Sequence, residues 1–269
     1  MRSIVHLSDL HFGRINLSVI APLIETIAML NPDLVAVSGD LTQRARTHQF
    51  KDARAFLDRL PQPQIVVPGN HDVPMHNVFA RFVQPLHKYT RYITRDLKPF
   101  YHDGDIAVLG VNTARSLTIK GGRINEEQVA WMRERLCASD PEAVKVIVTH
   151  HPFDLPEGHD ERHLVGRARM AMEGLASCGA DVFLAGHLHI SHTTHSATRY
   201  KIKGHSALVV QAGTASSTRG RGEANSFNVI RVDRPHIAVE RFEWHPDLAK
   251  FTIAMTERFK HTADGWARM

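Results

Sequence analysis

The sequence predicts an α/β protein in four layers: two packed mixed sheets with helices flanking them on the outside. Three observations predict it. Over the first 150 residues short apolar runs alternate with amphipathic segments, the pattern of repeated strand–helix–strand units. Val144–Thr149 reads as a strand suited to burial on both faces. After residue 190 the alternation gives way to short strand-like segments separated by glycine-rich stretches such as Gly220-Arg221-Gly222. That change predicts antiparallel strands forming a second sheet packed on the first.

The elements follow in order. Ile4–Ser8 is a strand, and Leu17–Leu30 has helical apolar spacing with Pro22 near its start. Leu34–Ser38 is the second strand. Gln49–Leu60 is an amphipathic helix with Phe50, Ala53, Phe56, Leu57 and Leu60 on one face. Ile65–Val67 is a short strand. Val78–Lys98 is aromatic, basic and helical in part, and it interrupts the repeat as a cap on the pocket or a dimer face. Ile106–Val111 is a strand, and Glu126–Cys137 a helix whose N-cap is Asn125. Arg162–Ser177 is read as one helix and Asp181–Ala185 as a strand. Ser191–Thr198, Ala207–Ala212, Ser226–Val232 and Ile237–Trp244 are the late strands. Residues 1–245 are expected to form the main domain. Residues 246–269 are expected to pack on it as an extension or to make an oligomer contact.

Polar residues recur where the apolar runs end. Asp9 and His11 follow the first strand, Asp40 the second and Gly69-Asn70-His71-Asp72 the third; His150-His151-Pro152 and Gly186-His187-Leu188-His189 follow two later ones. Asp9 to Asp40 is 31 residues and Asp40 to Asn70 is 30. A strand–helix–strand unit takes about 30 residues. The polar residues therefore return once per unit at the same end of successive parallel strands, where open α/β sheets bind ligands. Carboxylate oxygen, amide oxygen and imidazole nitrogen suit Mn, Fe or Zn, and there are donors enough for two ions. Two ions roughly 3.5–4 Å apart are the usual clamp for phosphoryl displacement. Asp40, central in the order of motifs, is the natural bridging carboxylate.

These blocks resemble the calcineurin-like metallophosphoesterase superfamily, whose pattern runs D-x-H, G-D, G-N-H-[E/D], H and G-H-x-H. The resemblance spans residues 9–189. Ser38-Gly39-Asp40-Leu41-Thr42 and Pro68-Gly69-Asn70-His71-Asp72 look most like the bacterial class III cyclic-nucleotide phosphodiesterases, a group that also holds glycerophosphodiesterases of similar layout. The resemblance implies that Asp9, His11, Asp40 and His189 hold one ion and that Asp40, Asn70, His150 and His187 hold the other. It implies Mn or Fe first, with Zn accommodated, and attack on phosphorus by a metal-bound hydroxide. His71, next to Asn70, would stabilise charge on the phosphoryl oxygens or protonate the leaving alkoxide. His151 is read as structural or as a support behind the ligands, and Asp72 as a carboxylate orienting a histidine. Asn112, Arg219 and Arg221 are candidate substrate contacts.

The expected activity is a dinuclear-metal phosphodiesterase acting on a small phosphoester, a cyclic nucleotide in the first place. Glycerol-, lipid- or sugar-linked phosphates are the alternative, with a nuclease or a non-catalytic scaffold behind them. The net charge of +5 is spread without a basic run, which argues against extended nucleic-acid binding. No apolar stretch approaches the ~20 residues of a membrane span. The start, Met1-Arg2 leading straight into a strand, reads as a cytoplasmic chain without a leader. Cys137 and Cys178 are accordingly expected as free thiols.

Overall fold

The central strands are buried on both faces, and this builds the layers. The computed structural model describes residues 1–75, 78–116, 121–220 and 222–269. The first part holds β1 (Arg2–Leu7), α1 (Leu17–Leu30), β2 (Leu34–Val37), α2 (Thr47–Leu57), β3 (Gln64–Val66) and the short helices α3 (Val78–Val83) and α4 (His87–Tyr92). The second holds β4 (Phe100–His102), β5 (Ile106–Gly110), α5 (Glu126–Ala138), β6 (Val144–Val148), α6 (Ala168–Ala176), β7 (Ala180–Ala185), β8 (His192–His195), α7 (Ser196–Tyr200) and β9 (Leu208–Gln211). The chain ends with β10 (Ser226–Asp233), β11 (His236–His245), β12 (Lys250–Thr262) and β13 (Gly265–Arg268).

One seven-stranded sheet runs β13-β12-β11-β10-β1-β2-β3, and one six-stranded sheet runs β4-β5-β6-β7-β9-β8. Each has a parallel centre: β1 with β2 and β2 with β3 in the first, β5 with β6, β6 with β7 and β7 with β9 in the second. Ile4, Leu34 and Ala36 face Val146, Val148, Val182, Leu184, Leu208 and Val210 in one cluster between the sheets. The intervening Val5, Val35 and Val37 point the other way, onto Val19, Leu23 and Ile27 of α1 and Phe50, Ala53 and Phe56 of α2. Ile147, Phe183 and Val209 likewise meet Val129, Met132 and Leu136 of α5 and Met172 and Leu175 of α6. The two-residue period of the strands thus serves two apolar layers at once. The result is the expected order α/β/β/α.

Several expectations need correction. The second sheet begins at β4, and the late antiparallel strands β10 to β13 extend the first sheet through β10 beside β1. After residue 190 the chain first completes the second sheet with β8 and β9, and it returns to the first sheet only at β10. Arg162–Ser177 is not one helix. A single 3-10 turn, Glu161–His163, is followed by extended Leu164, and α6 starts after Arg167 in the left-handed region (φ 68°). Gly166 N–H donates to Gly122 O at 2.8 Å and Ile124 N–H to Gly166 O at 3.1 Å, and this pairing holds the backbone out of the helix. The strand expected over Ser191–Thr198 stops at His195, where α7 begins. Cys137 and Cys178 are not free: they form a disulfide, with Cα atoms 4.8 Å apart, between the end of α5 and the turn after α6. Their pairing depends on α5 lying against α6, a contact that two cysteines 41 residues apart do not announce.

Candidate metal centre

The carboxyl ends of β1, β2, β3, β6 and β7 meet where the two sheets pack. Asp9 N–H donates to Gly39 O (3.1 Å) and His11 N–H to Asp40 O (2.9 Å), which ties the loop after β1 to the loop after β2. Asn70 and His71 lie on a 3-10 turn, Asn70–Asp72, directly after β3. Across the sheet interface, His187 N–H donates to Asp9 Oδ2 (2.9 Å), and His150 Nδ1 lies 2.8 Å from Ser38 O.

Backbone strain concentrates here. Asp9, His11, Asp40, His187 and His189 all have φ between 49° and 75°, the left-handed region that side chains rarely adopt. Each costs of order 1–3 kcal/mol and persists only where the surroundings fix it. Gly69 has a different constraint: a Cβ there would run into the Asp40 carboxylate, so the turn must carry glycine for Asp40 to sit where it does.

Two clusters of donor atoms result. Asp9, His11, Asp40 and His189 place one ligand atom each within 4.8 Å of the others, and all four are buried. His189 Nε2 lies 3.1 Å from Asp9 Oδ1 and 3.1 Å from His11 Nε2. In the second cluster, Asn70 Oδ1 lies 3.0 Å from His150 Nε2 and 3.1 Å from His187 Nδ1. Asp40 Oδ2 belongs to both clusters, 3.7 Å from His11 Nε2 and 3.4 Å from His150 Nε2. The structure thus brings together all seven residues expected as ligands. It also brings a ring nitrogen of His151 within 4.8 Å of those of His150 and His187, a residue the sequence places behind the ligands or in a structural role.

The chemistry of this donor set fits metal ions. Ligating histidines typically have their second ring nitrogen tied to an outer partner. Here His150 Nδ1 is tied to Ser38 O, His189 Nδ1 to Arg219 O at 3.1 Å, and His187 Nε2 to His163 Nδ1 at 2.8 Å. His11 Nδ1 has no hydrogen-bond partner among the described residues. The charges fit as well. Burial alone would raise the Asp40 carboxyl, but His150, His71 and His11 outweigh it and hold it far below the carboxylate range. Burial likewise opposes charge on His150, yet Asp40 prevails and lifts it to about 9. His187 goes the other way, to about 3, through burial and then the charge of His150. Carboxylates held ionised among neighbouring imidazoles are the form in which such groups would ligate a metal ion.

The residues around the clusters divide. His71 is held at three points: its N–H donates to Asp40 Oδ1 (2.8 Å), Nδ1 lies 2.8 Å from Gln43 O, and Nε2 lies 3.1 Å from Arg219 Nη1. Asn112 Oδ1 accepts from Ala114 N–H (2.9 Å), so that oxygen is used within its own loop. The neighbouring Thr113 hydroxyl lies 2.8 Å from His151 Nδ1. Arg221 lies outside the described residues. Among the described residues the Asp72 carboxylate is hydrogen-bonded to no histidine. It accepts from the N–H groups of Gly69 (2.9 Å), Leu41 (3.1 Å) and Thr42 (2.9 Å), locking the loops after β2 and β3 together. Burial, then Asp40, raise its carboxyl to about 6 against those hydrogen bonds. His163 was missed because its segment reads as plain helix, and no motif marks it.

A model of the calcineurin-like phosphoesterases matches residues 2–191. The chain belongs to the calcineurin-like phosphoesterase family. Among curated members, this chain is 26% identical over 163 residues to the glycerophosphodiester phosphodiesterase GpdQ of Enterobacter lignolyticus, covering 56% of this chain and 58% of that protein. It is 29% identical over 170 residues to a probable GpdQ of Arcobacter nitrofigilis, covering 61% and 59%. The match thus spans about three fifths of the length of both relatives. A probable cyclic nucleotide phosphodiesterase of Moraxella catarrhalis is 23% identical over 215 residues, 75% of this chain and 76% of that one. Among solved structures, a dimetal phosphatase of Danio rerio superposes with a TM-score of 0.66 at 14% identity, covering 89% of this chain and 95% of that one. A purple acid phosphatase of yellow lupin (Lupinus luteus) gives 0.65 at 12% identity, covering 96% and 53%. These two likenesses concern the fold of the chain alone. Among its described residues, no helix is long and apolar enough to cross a membrane.

Proposed function

We propose that the chain is a dinuclear-metal phosphodiesterase acting on a small phosphodiester. The observation that carries this reading is the pair of donor clusters sharing Asp40 Oδ2. Asp9, His11, Asp40 and His189 take one ion. Asp40, Asn70, His150 and His187 take the other, with His151 in reach. Mn and Fe suit the mixed oxygen and nitrogen set, and Zn also fits. Bound ions would supply Lewis acidity and a deprotonated water at neutral pH.

The chain's own residues do the rest. Asp40 spans the two clusters and fixes the His71 backbone through Oδ1. Gln43 O orients the His71 ring. Arg219 places a guanidinium beside His71 Nε2, where it can pair with a phosphoryl oxygen. To protonate a leaving alkoxide, His71 must carry a proton on Nε2, and Arg219 must then turn from that nitrogen to the substrate.

Cyclic nucleotides and glycerophosphodiesters are the first substrates to try, on the names of the relatives. A panel of cyclic AMP, cyclic GMP, glycerophosphodiesters, a chromogenic diester and a chromogenic monoester, run with Mn, Fe and Zn in turn, tests the reading. Diester hydrolysis lost on chelation and restored by metal is expected. Higher kcat/KM for monoesters throughout would make the chain a phosphatase instead.

A further inference from the structure

A second concentration of charge lies beside the metal residues. A cavity of about 270 Å3 is lined by Gly13, Arg14, Gln43, Arg44, Arg46 and Gln49. Three of these are arginines and none carries a carboxylate. Elsewhere arginines find acidic partners: Arg2 reaches Asp103, Arg199 reaches Asp154 and Glu161, and Arg231 reaches Glu240. Among the described residues Arg14, Arg44 and Arg46 have no carboxylate within ion-pair distance. A concave site lined by one sign of charge repels itself and concentrates counter-ions.

The cavity has a built floor. Gln49 is 4% exposed, and its Oε1 accepts from the N–H groups of Arg44 (2.9 Å) and Arg46 (3.3 Å). That leaves the amide nitrogen against Gly13, with no hydrogen-bond partner among the described residues. Gly13 has φ 102°, and a Cβ there would collide with this amide. A side-chain amide donor therefore lies against a glycine turn among the arginines. Outside the lining, Lys88 Nζ donates to the carbonyl of Ala45, the residue between Arg44 and Arg46, at 2.9 Å.

The cavity adjoins the metal site. Gln43 lines it, and the Gln43 carbonyl is the group that holds His71 Nδ1. Arg14 O accepts from Thr218 N–H at 3.1 Å, one residue before Arg219. We infer that this cavity binds a second phosphate group of the substrate, one that is not hydrolysed. The inference rests on the phosphodiesterase reading above and deepens it. A cyclic mononucleotide has a single phosphate and leaves the arginines unused. A phosphodiester that also bears a phosphate monoester presents a dianion, which guanidinium groups match with paired N–H donors. The substrate class is therefore a phosphodiester carrying a further phosphate monoester.

The test uses thymidine 5'-(p-nitrophenyl phosphate) with and without a 3'-phosphate. The two share the scissile bond and leaving group. The expected result is a wild-type kcat/KM at least ten-fold higher for the 3'-phosphorylated compound, with the ratio collapsing toward one in an Arg44→Gln/Arg46→Gln double variant. A wild-type ratio near one, or a ratio untouched by the substitutions, overturns the inference. If neither compound is hydrolysed, the phosphodiesterase reading fails, and binding decides the cavity on its own. Calorimetric titration then compares thymidine 3',5'-bisphosphate with thymidine 5'-monophosphate. Tighter bisphosphate binding that the double variant abolishes supports the site, and equal affinities overturn it.

Discussion

Arg219 Nη1 lies 3.1 Å from His71 Nε2, and His71 Nδ1 is meanwhile held 2.8 Å from the Gln43 carbonyl. A ring that donates from Nδ1 to a carbonyl offers Nε2 as an acceptor, so the guanidinium is its natural donor here. The same residue turns its carbonyl to His189 Nδ1 at 3.1 Å. Side chain and backbone of Arg219 thus act on different parts of the site.

Arg219→Ala should therefore keep the metals, because the carbonyl remains, and lose substrate binding. Hydrogen bonds to charged groups contribute about 1.5–3 kcal/mol, roughly a ten- to hundred-fold fall in kcat/KM. Metal content and kinetics measured on one preparation check this. Loss of metal would make the residue a support of the His189 loop.

His71→Ala should leave metal content intact and lower kcat by about 10²–10⁴ for alkoxide leaving groups. Nitrophenolate, which leaves without a proton, should suffer less. An equal fall for both would assign His71 to charge stabilisation instead of proton donation.

Asp40→Ala should be the most damaging change among the proposed ligands, since Asp40 Oδ2 reaches both clusters. Elemental analysis should find both ions weakened, with activity down by at least about 100-fold. Asn70→Ala should weaken only the ion near His150 and His187. An Asp40→Ala protein holding two ions at native affinity would refute the shared role.

His6 predicts acid sensitivity. It is fully buried, with Nε2 2.9 Å from Ser38 Oγ, and burial lowers its pKa from 6.5 to about 3. Below pH 6.5 the unfolded chain takes up a proton that the folded chain refuses, so stability falls as pH drops from 6.5 toward 3. One proton corresponds to about 1.4 kcal/mol per pH unit. Denaturant midpoints in EDTA should fall less steeply for His6→Gln than for the wild type, and parallel curves would count against this account.

The disulfide closes a span of 41 residues. Loop closure of that size contributes about 2–4 kcal/mol. Thiol titration of the denatured protein should find no free cysteine until a reductant is added. Cys137→Ser should lower the melting temperature, and free thiols in the non-reduced protein would overturn the bond.

What was legible in the sequence is what local spacing encodes. Leu17–Leu30 and the Asn125 cap stand where the apolar period and the capping side chain put them. The seven expected metal residues could be gathered because each follows a strand, and parallel strands carry their ends to one edge. What was illegible depends on contacts between distant segments. Nothing near residue 226 says that β10 will lie beside β1, and nothing near His163 says that His187 is its neighbour. Asp72 looked like a partner for an imidazole because its role is decided by the backbone of Leu41 and Thr42, some 30 residues away. The left-handed backbone at Asp9, His11, Asp40, His187 and His189 is not announced by glycine, although Asp and His enter that region more readily than most side chains.

The division of the site between the sheets has a consequence for biosynthesis. Asp9 leaves the ribosome early, and His189, which shares its cluster, 180 residues later. At roughly 5–20 residues per second, that interval is of the order of ten to forty seconds. Throughout it the nascent chain shows single aspartates and histidines but no complete binding set. A chain stalled before His187 would hold neither cluster, so acquisition of metal would mark molecules synthesised past His189 in which the ends of β1 and β2 have met the ends of β6 and β7.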